Sequence, residues 1–379
     1  MNYNKTLAAI AISLSFAANA YAQNNVVIYG VLDAGLGYTT TNIEGVKASK
    51  FGGVYGVQTP NLVGLKGSED LGGGNKVNFV LETGFDLGSG QNAMNTLFGR
   101  QATVGVASNK WGSVDIGRKR TVGSDYFAPI DPFGVSYSQA SSGVAFGSVN
   151  NTRYSNMLQY NSPSMLGFSV GAGYSFNVGM TGVYNAFVVP GDVSGFASNN
   201  NMRAVTVGGK YANGPWYAAA TYDTVLADDR FKTDKTGGSV SAWTLGGSYD
   251  FKLAKVGVGY GQTRNGFING QTPLNAEGVN TSWSNGGVLF RNGYGTNQYL
   301  VGATVPVSSR TNVMASWTLL QPQGKWKDSD LSRNQNTYNL GARYELSKRT
   351  SLYAVGSYAN NYGLAGQSTM IATGMTFAF

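Results

Sequence analysis

Three consecutive stretches decide the fold: WGSVDIGRKR (111–120), TVGSDYFAPIDPFGVSYSQASSGVAFGSVNN (121–151) and TRYSNMLQY (152–160). In the first, Val114 and Ile116 alternate with small or polar residues; in the last, Tyr154, Leu158 and Tyr160 share one parity. Period-two alternation marks a strand with one apolar face. The 31 residues between them show no sustained helical or strand pattern. Loops of that length inside a compact domain are usually functional or disordered. This one carries Tyr126, Phe127, Ile130, Phe133, Val135, Tyr137, Val144 and Phe146, a composition too apolar for disorder. A long adhesive loop between two strands needs a cavity to fill. The expectation is a loop folded back into the bore of a β-barrel.

The same alternation recurs outward from this segment. Ile371, Thr373, Met375, Phe377 and Phe379 alternate with Ala372, Gly374, Thr376 and Ala378. Phe168, Val170, Ala172 and Tyr174 alternate with Ser169, Gly171 and Gly173; Tyr338, Leu340, Ala342 and Tyr344 with Asn339, Gly341 and Arg343. Connections alternate too. Short ones fall near 108–110, 162–166, 212–215, 252–254, 306–310 and 346–349, and long ones near 39–59, 88–96, 121–151, 178–201, 227–239, 266–296, 322–334 and 360–367. Counted this way, the chain holds 16 strands in one domain. The spacing suits tilted membrane-spanning strands of about 9–11 residues.

Composition separates a soluble sandwich from a membrane barrel. Only 12% of residues are charged, against about 25% in ordinary soluble domains. There are 54 Gly, 23 Tyr and 18 Phe, suited to twisted strands, tight turns and interfacial aromatic belts. With apolar faces outward, the small and polar faces line a wet lumen. Lys5, the apolar run 7–18 and Ala20-Tyr21-Ala22 read as a signal peptide spanning 1–22, leaving 23–379 as a single barrel domain.

The chain contains neither Cys nor His, which removes the usual general base and the commonest metal ligand. Neither a Gly-x-x-x-x-Gly-Lys-Ser/Thr nor a Gly-x-Ser-x-Gly motif occurs. An enzyme is therefore not expected, nor any cofactor. The net charge of +8 comes from dispersed Lys and Arg rather than clusters, so nucleic acid is not an expected partner. A positive field inside a pore accounts for it better.

Several stretches together resemble the trimeric general porins of the Gram-negative outer membrane, most closely the β-proteobacterial and neisserial group. They are IYGVLDAGL (28–36), VGLKGSEDLGGG (63–74), FVLETGF (79–85), FGRQATVGV (98–106), WGSVDIGR (111–118) and ATGMTFAF (372–379). The resemblance implies a 16-stranded antiparallel transmembrane β-barrel, a homotrimer, and a long third loop folded into the lumen. It implies passive diffusion of ions and small hydrophilic solutes, with lipid, lipopolysaccharide and the barrel-insertion machinery as further partners. Phe379, with Phe377 before it, resembles the terminal insertion signal of such barrels.

Within that frame the constriction is expected to carry Lys66, Arg100, Lys119 and Arg153 on a basic wall. Asp125 and Asp131 face them from the loop, and Glu82 joins the basic side. Asp131 lies in Asp131-Pro132-Phe133-Gly134, which resembles the family's loop-tip turn. Arg118 shares the parity of Val114 and Ile116 and so suits a subunit contact. Leu62 stands where the family usually places a pore-facing Arg, which points to a weak rather than strong anion preference. Two alternatives share the barrel. One is a substrate-specific channel for sugars or organic anions, with Trp283, Phe290 and Tyr294 forming an aromatic track. The other is a non-conducting adhesin or structural barrel.

Overall fold

The computed structural model describes residues 26–43, 45–94, 96–178, 201–228, 232–234, 237–269, 288–324, 333–362 and 366–379. The leader 1–22 and Trp283 lie outside them. Among the described residues, seventeen strands are formed. The first six are β1 (Val27–Ile43), β2 (Val46–Tyr55), β3 (Leu62–Gly72), β4 (Asn75–Gly84), β5 (Gln101–Ser108) and β6 (Gly112–Arg120). After the lumen segment come β7 (Arg153–Asn161), β8 (Phe168–Ser175), β9 (Arg203–Asn213), β10 (Trp216–Leu226) and β11 (Ser239–Asp250). The series ends with β12 (Lys255–Ile268), β13 (Val288–Pro306), β14 (Thr311–Gly324), β15 (Gln335–Glu345), β16 (Thr350–Tyr362) and β17 (Gly366–Ala378).

All neighbours are antiparallel and the sheet closes on itself, because β1 pairs with β17 from Val31↔Ala378 to Ile43↔Gly366. Gly30 and Phe379 complete the seam by exchanging N–H···O bonds of 3.2 and 3.1 Å. Closure leaves neither the first nor the last strand as a free edge, as a lipid-embedded sheet requires.

Seventeen strands occupy sixteen positions. The lower part of β1 pairs with β3 (Val27↔Lys66 to Val31↔Leu62), and its upper part pairs with β2 (Ala34↔Tyr55 to Ile43↔Val46). The second position is thus built from two segments, with residues 56–61 between them. Residues 46–55, expected to be loop, are strand.

Asp33 fixes the junction. Its carboxylate accepts from Thr59 N at 2.8 Å and from the Tyr353 hydroxyl at 2.8 Å. Its own N–H donates to Asn61 Oδ1, and its carbonyl accepts from Gly56 N at 3.0 Å. Gln58 reaches across to Ser351 at 3.3 Å.

Alternation reads as expected. Leu340, Ile371, Leu245 and Val104 lie more than half exposed on the outer wall, while Thr206, Asp223, Thr318 and Thr337 on the inner wall are at most 1% exposed. Phe377 and Phe379 face outward at 40% and 42% exposure. Aromatics ring the wall at two levels. Near the short turns, Trp216 packs on Tyr249 (4.4 Å between ring centres) and Phe168 on Tyr211 (4.6 Å). Toward the long connections, Tyr260 packs on Trp243 (5.3 Å) and Tyr299 (5.1 Å). Two such girdles flanking an apolar band are the signature of a membrane barrel.

Candidate functional site

The segment between β6 and β7 lies inside the barrel. It forms one short helix, α1 (Val122–Phe127), followed by single 3-10 turns at Ala128–Ile130, Ser138–Ala140, Ser142–Val144 and Gly147–Val149. Thr121 caps α1 by accepting from Ser124 N at 3.1 Å. The segment is tied to inner walls on several sides. Gly123 N donates to Thr206 on β9, and Tyr217 on β10 donates to Tyr126 O at 2.6 Å. Lys255 on β12 donates to Pro129 O at 2.8 Å, and Gln139 bonds Ser357 O on β16 and Ser368 on β17.

Glycines make room for it. A methyl at Gly302 would lie 2.6 Å from Pro132 Cγ, at Gly259 2.7 Å from Phe127 Cζ, and at Gly341 2.9 Å from Phe133 Cε1; at Gly257 it would strike the Ile130 carbonyl. The apolar residues of the segment thereby find a dry bed. Val122, Tyr126, Phe127, Ile130, Ala145 and Phe146 form one core cluster with Leu300 and Leu320 of the wall.

Asp131 organises the tip. It is 5% exposed and accepts from Phe133 N (3.0 Å), Val135 N (3.0 Å) and Ser142 N (2.9 Å). Burial pushes its carboxyl above the ordinary range, and the three N–H donors oppose that shift. Asp131 therefore does not face the basic wall, contrary to expectation. It clamps a turn in which Val135, a β-branched residue, sits at φ 54°. Tyr137 packs edge-on against Phe133 (5.4 Å) and Tyr353 (5.9 Å), and burial pushes its hydroxyl up to about 12.

The charged residues gather where the segment leaves and rejoins the wall. Arg100 Nε pairs with Glu82 Oε1 at 2.6 Å, and the Tyr29 hydroxyl donates to Glu82 Oε2 at 3.0 Å. Arg153 donates to Arg100 O at 2.9 Å and to Asn151 O at 2.7 Å. Arg120 pairs with Asp125 at 2.8 Å and donates to Asn151 Oδ1 at 3.1 Å. Arg100, Arg118 and Arg120 all lie close enough to Arg153 to act on it as like charges, with Glu82 opposing them. Asn151 links this group to the tip by donating to Val135 O at 2.8 Å. Neither Arg120 nor Asn151 was expected from the sequence. Arg120 lay at a strand end, where cations are ordinary, and Asn151 carries no charge pattern to follow.

The other expected residues divide. Lys119 is buried against Asp115 at 2.6 Å, so its charge is neutralised within the wall rather than presented to the lumen. Lys66 is exposed, 5.1 Å over the Tyr29 ring. Arg118 donates to Gly99 O (2.7 Å) and Ser155 (3.1 Å), contacts within its own subunit. Leu62 is buried, 7% exposed, opposite Gly84. Phe290 and Tyr294 belong to β13 and are 7% and 0% exposed, so they do not form an aromatic track along the lumen. Among the described residues, no group of three or more His, Cys, Asp or Glu converges on a common point, as a metal would need.

Comparison with known proteins gives the family. An outer membrane porin protein of Bordetella pertussis is 38% identical over 392 aligned positions, covering 99% of this chain and all of that one. Outer membrane porin protein 32 of Delftia acidovorans is 29% identical, covering 94% of this chain and 90% of that one. An anion-selective porin from Comamonas acidovorans shares the fold with a TM-score of 0.69 at 23% identity, over 94% of this chain and all of that one. Residues 6–364 match the Gram-negative porin family, and with a closed antiparallel barrel of sixteen positions, the chain belongs to that family of channels.

Proposed function

We propose that this porin is a passive, water-filled outer-membrane channel for ions and small hydrophilic solutes, narrowed by residues 121–151 and weakly anion-preferring. The observation that carries the reading is the imbalance at the root of the lumen segment. Arg100, Arg118, Arg120 and Arg153 gather there against Glu82 and Asp125. The segment packs mainly against β8 to β12 and β15 to β16, and Lys66, Glu82 and Arg100 lie on the other side of the barrel, on and beside β3 to β5. Low-dielectric walls around a narrow opening focus the field of such charges, which then acts over longer distances than in bulk water. The Arg100–Glu82 and Arg120–Asp125 pairs, and Leu62 in place of a further cation, keep the preference modest.

The chain assembles as a homotrimer in this reading, as the trimer form of a Vibrio cholerae barrel of the same fold does. The apolar outer groove bordered by Leu36, Phe51, Leu340 and Ile371 is the contact face. Residues 1–22 direct export, and Phe377 and Phe379 are offered to the insertion machinery. The test is reconstitution into a planar bilayer with a salt gradient. Non-saturating conductance with a reversal potential on the anion side supports the reading, and absence of conductance overturns it.

A further inference from the structure

Two guanidiniums are set against each other where the lumen segment leaves and rejoins the wall. Arg120 ends β6, Arg153 begins β7, and the two are partners in the register of those strands. Like charges directly opposite on neighbouring strands repel. Arg100 and Arg118 add to the repulsion at Arg153, and only Glu82 opposes it there. Without a restraint the more mobile of the two side chains would swing away.

Asn151 holds both. Its side-chain Oδ1 accepts from Arg120 Nη1 at 3.1 Å, and its backbone carbonyl accepts from Arg153 Nη1 at 2.7 Å. The remaining anchors are unequal. Arg153 is buried and has a second carbonyl, that of Arg100, at 2.9 Å. Arg120 has Asp125 at 2.8 Å, but its side chain is 42% exposed, so it is the cation with room to move.

Few residues could fill this place. Asn151 sits at φ 52°, in the left-handed region that Asn and Gly tolerate and most residues avoid. Its amide works at both ends, because Nδ2 donates to the Val135 carbonyl at 2.8 Å while Oδ1 faces the guanidinium. Turned over, the amide would set a donor against a cation and an acceptor against a carbonyl. Aspartate would keep the grip on Arg120 but cancel its charge and oppose Val135 O. Glycine would keep the backbone and lose both bonds.

We propose that Asn151 is a specificity-determining positioning residue: it holds Arg120 beside Arg153 with an uncharged oxygen, so that two positive charges stay concentrated at one place in the lumen without either being neutralised. The proposal rests on the channel reading above. It makes the ion preference depend on a residue that carries no charge.

The experiment measures reversal potential across a planar bilayer in a salt gradient. It compares the full-length native protein with Asn151→Gly, Asn151→Ser, Arg120→Gln and the double variant Asn151→Gly/Arg120→Gln. Glycine and serine change no charge and are too short to grip the guanidinium, so either should move the reversal potential from the anion side toward zero. Because Asn151 acts through Arg120, Asn151→Gly should add nothing to the shift that Arg120→Gln already causes. A residue that only supported the fold would leave the potential unmoved. An unmoved potential in both neutral variants, or a full additional shift in the Arg120→Gln background, overturns the role. Absence of conductance in the native protein overturns the channel reading instead, so the two failures are distinct.

Discussion

The two halves of the barrel interior share one backbone rule and differ in what they hold. From β8 to β17 small residues (Gly, Ser, Thr and Ala) recur at the inward positions among larger ones such as Tyr217, Leu300 and Leu320, and the lumen segment lies pressed against this wall, as at Gly257, Gly259 and Gly302. From β3 to β7 the inward positions and the adjoining bends carry Lys66, Glu82 and Arg100, with the arginines around Arg153. One half is a dry bed and the other a charged face. Alternation specifies only which residues point inward; whether that side is filled with protein or water depends on their size and charge. The comparison implies a division of labour: the bed fixes how wide the opening is, and the charged face fixes which ions favour it.

Four substitutions would break or sharpen that division. The largest effect is expected for Asp131→Ala, which strands three buried N–H groups at about 1–3 kcal/mol each before relaxation. The tip should loosen, visible as protease cleavage within 131–144 and as noisier, larger single-channel currents, with ion preference little changed. Gly257→Val drives a side chain into the Ile130 carbonyl, an overpacking cost of about 1–3 kcal/mol. Thermal unfolding should move down and conductance up; unaltered conductance would mean the segment does not limit the opening.

Tyr353→Phe removes the hydroxyl that donates to Asp33 and should cost roughly 1.5–3 kcal/mol, the range for a bond to a charged group, without touching selectivity. Arg100→Ala acts the other way. The barrel's stability cost should stay below that of the bed variants, since the Tyr29 hydroxyl still donates to the remaining Glu82 carboxylate. Its reversal potential should shift toward cations, because Glu82 is left uncompensated. A stability loss as large as that of the bed variants, or an unmoved reversal potential, would erase the contrast between the halves.

Much of the wall was legible because a strand with one face in lipid and one in water writes that difference into every second residue. The run from Ile371 to Phe379 is the clearest case, and the structure exposes those five outward residues and pairs the strand with β1. Strand β2 was not legible for the same reason in reverse. In VKASKFGGVY nearly every residue is exposed, so no face is selected and no alternation appears. The start of β13 was also missed. Its inward residues Val288, Phe290 and Tyr294 pack into the interior, while Arg291, Asn292 and Gly293 interrupt the pattern.

The site was half legible. Arg100, Glu82 and Arg153 could be nominated from charge and parity, but not their partners, since Tyr29 and Glu82 are 53 residues apart. Asp131 was found for its turn motif and given the wrong orientation. A carboxylate near glycine and proline serves a turn or a lumen equally well until its N–H donors are located. Asp33 passed unnoticed inside IYGVLDAGL, because nothing local distinguishes a buried junction carboxylate from a wetted one. Its four tethers come from residues 56, 59, 61 and 353.

The divided second position has a practical corollary. Strand β1 runs for 17 residues, longer than the roughly 9–11 that a tilted strand needs to cross the hydrocarbon. Its upper part, paired with β17 on one side and β2 on the other, therefore continues the wall beyond that span, riveted at its foot by Asp33. A peptide tag grafted between β1 and β2 would ride on a stiff, doubly paired extension of the wall rather than on a loose loop.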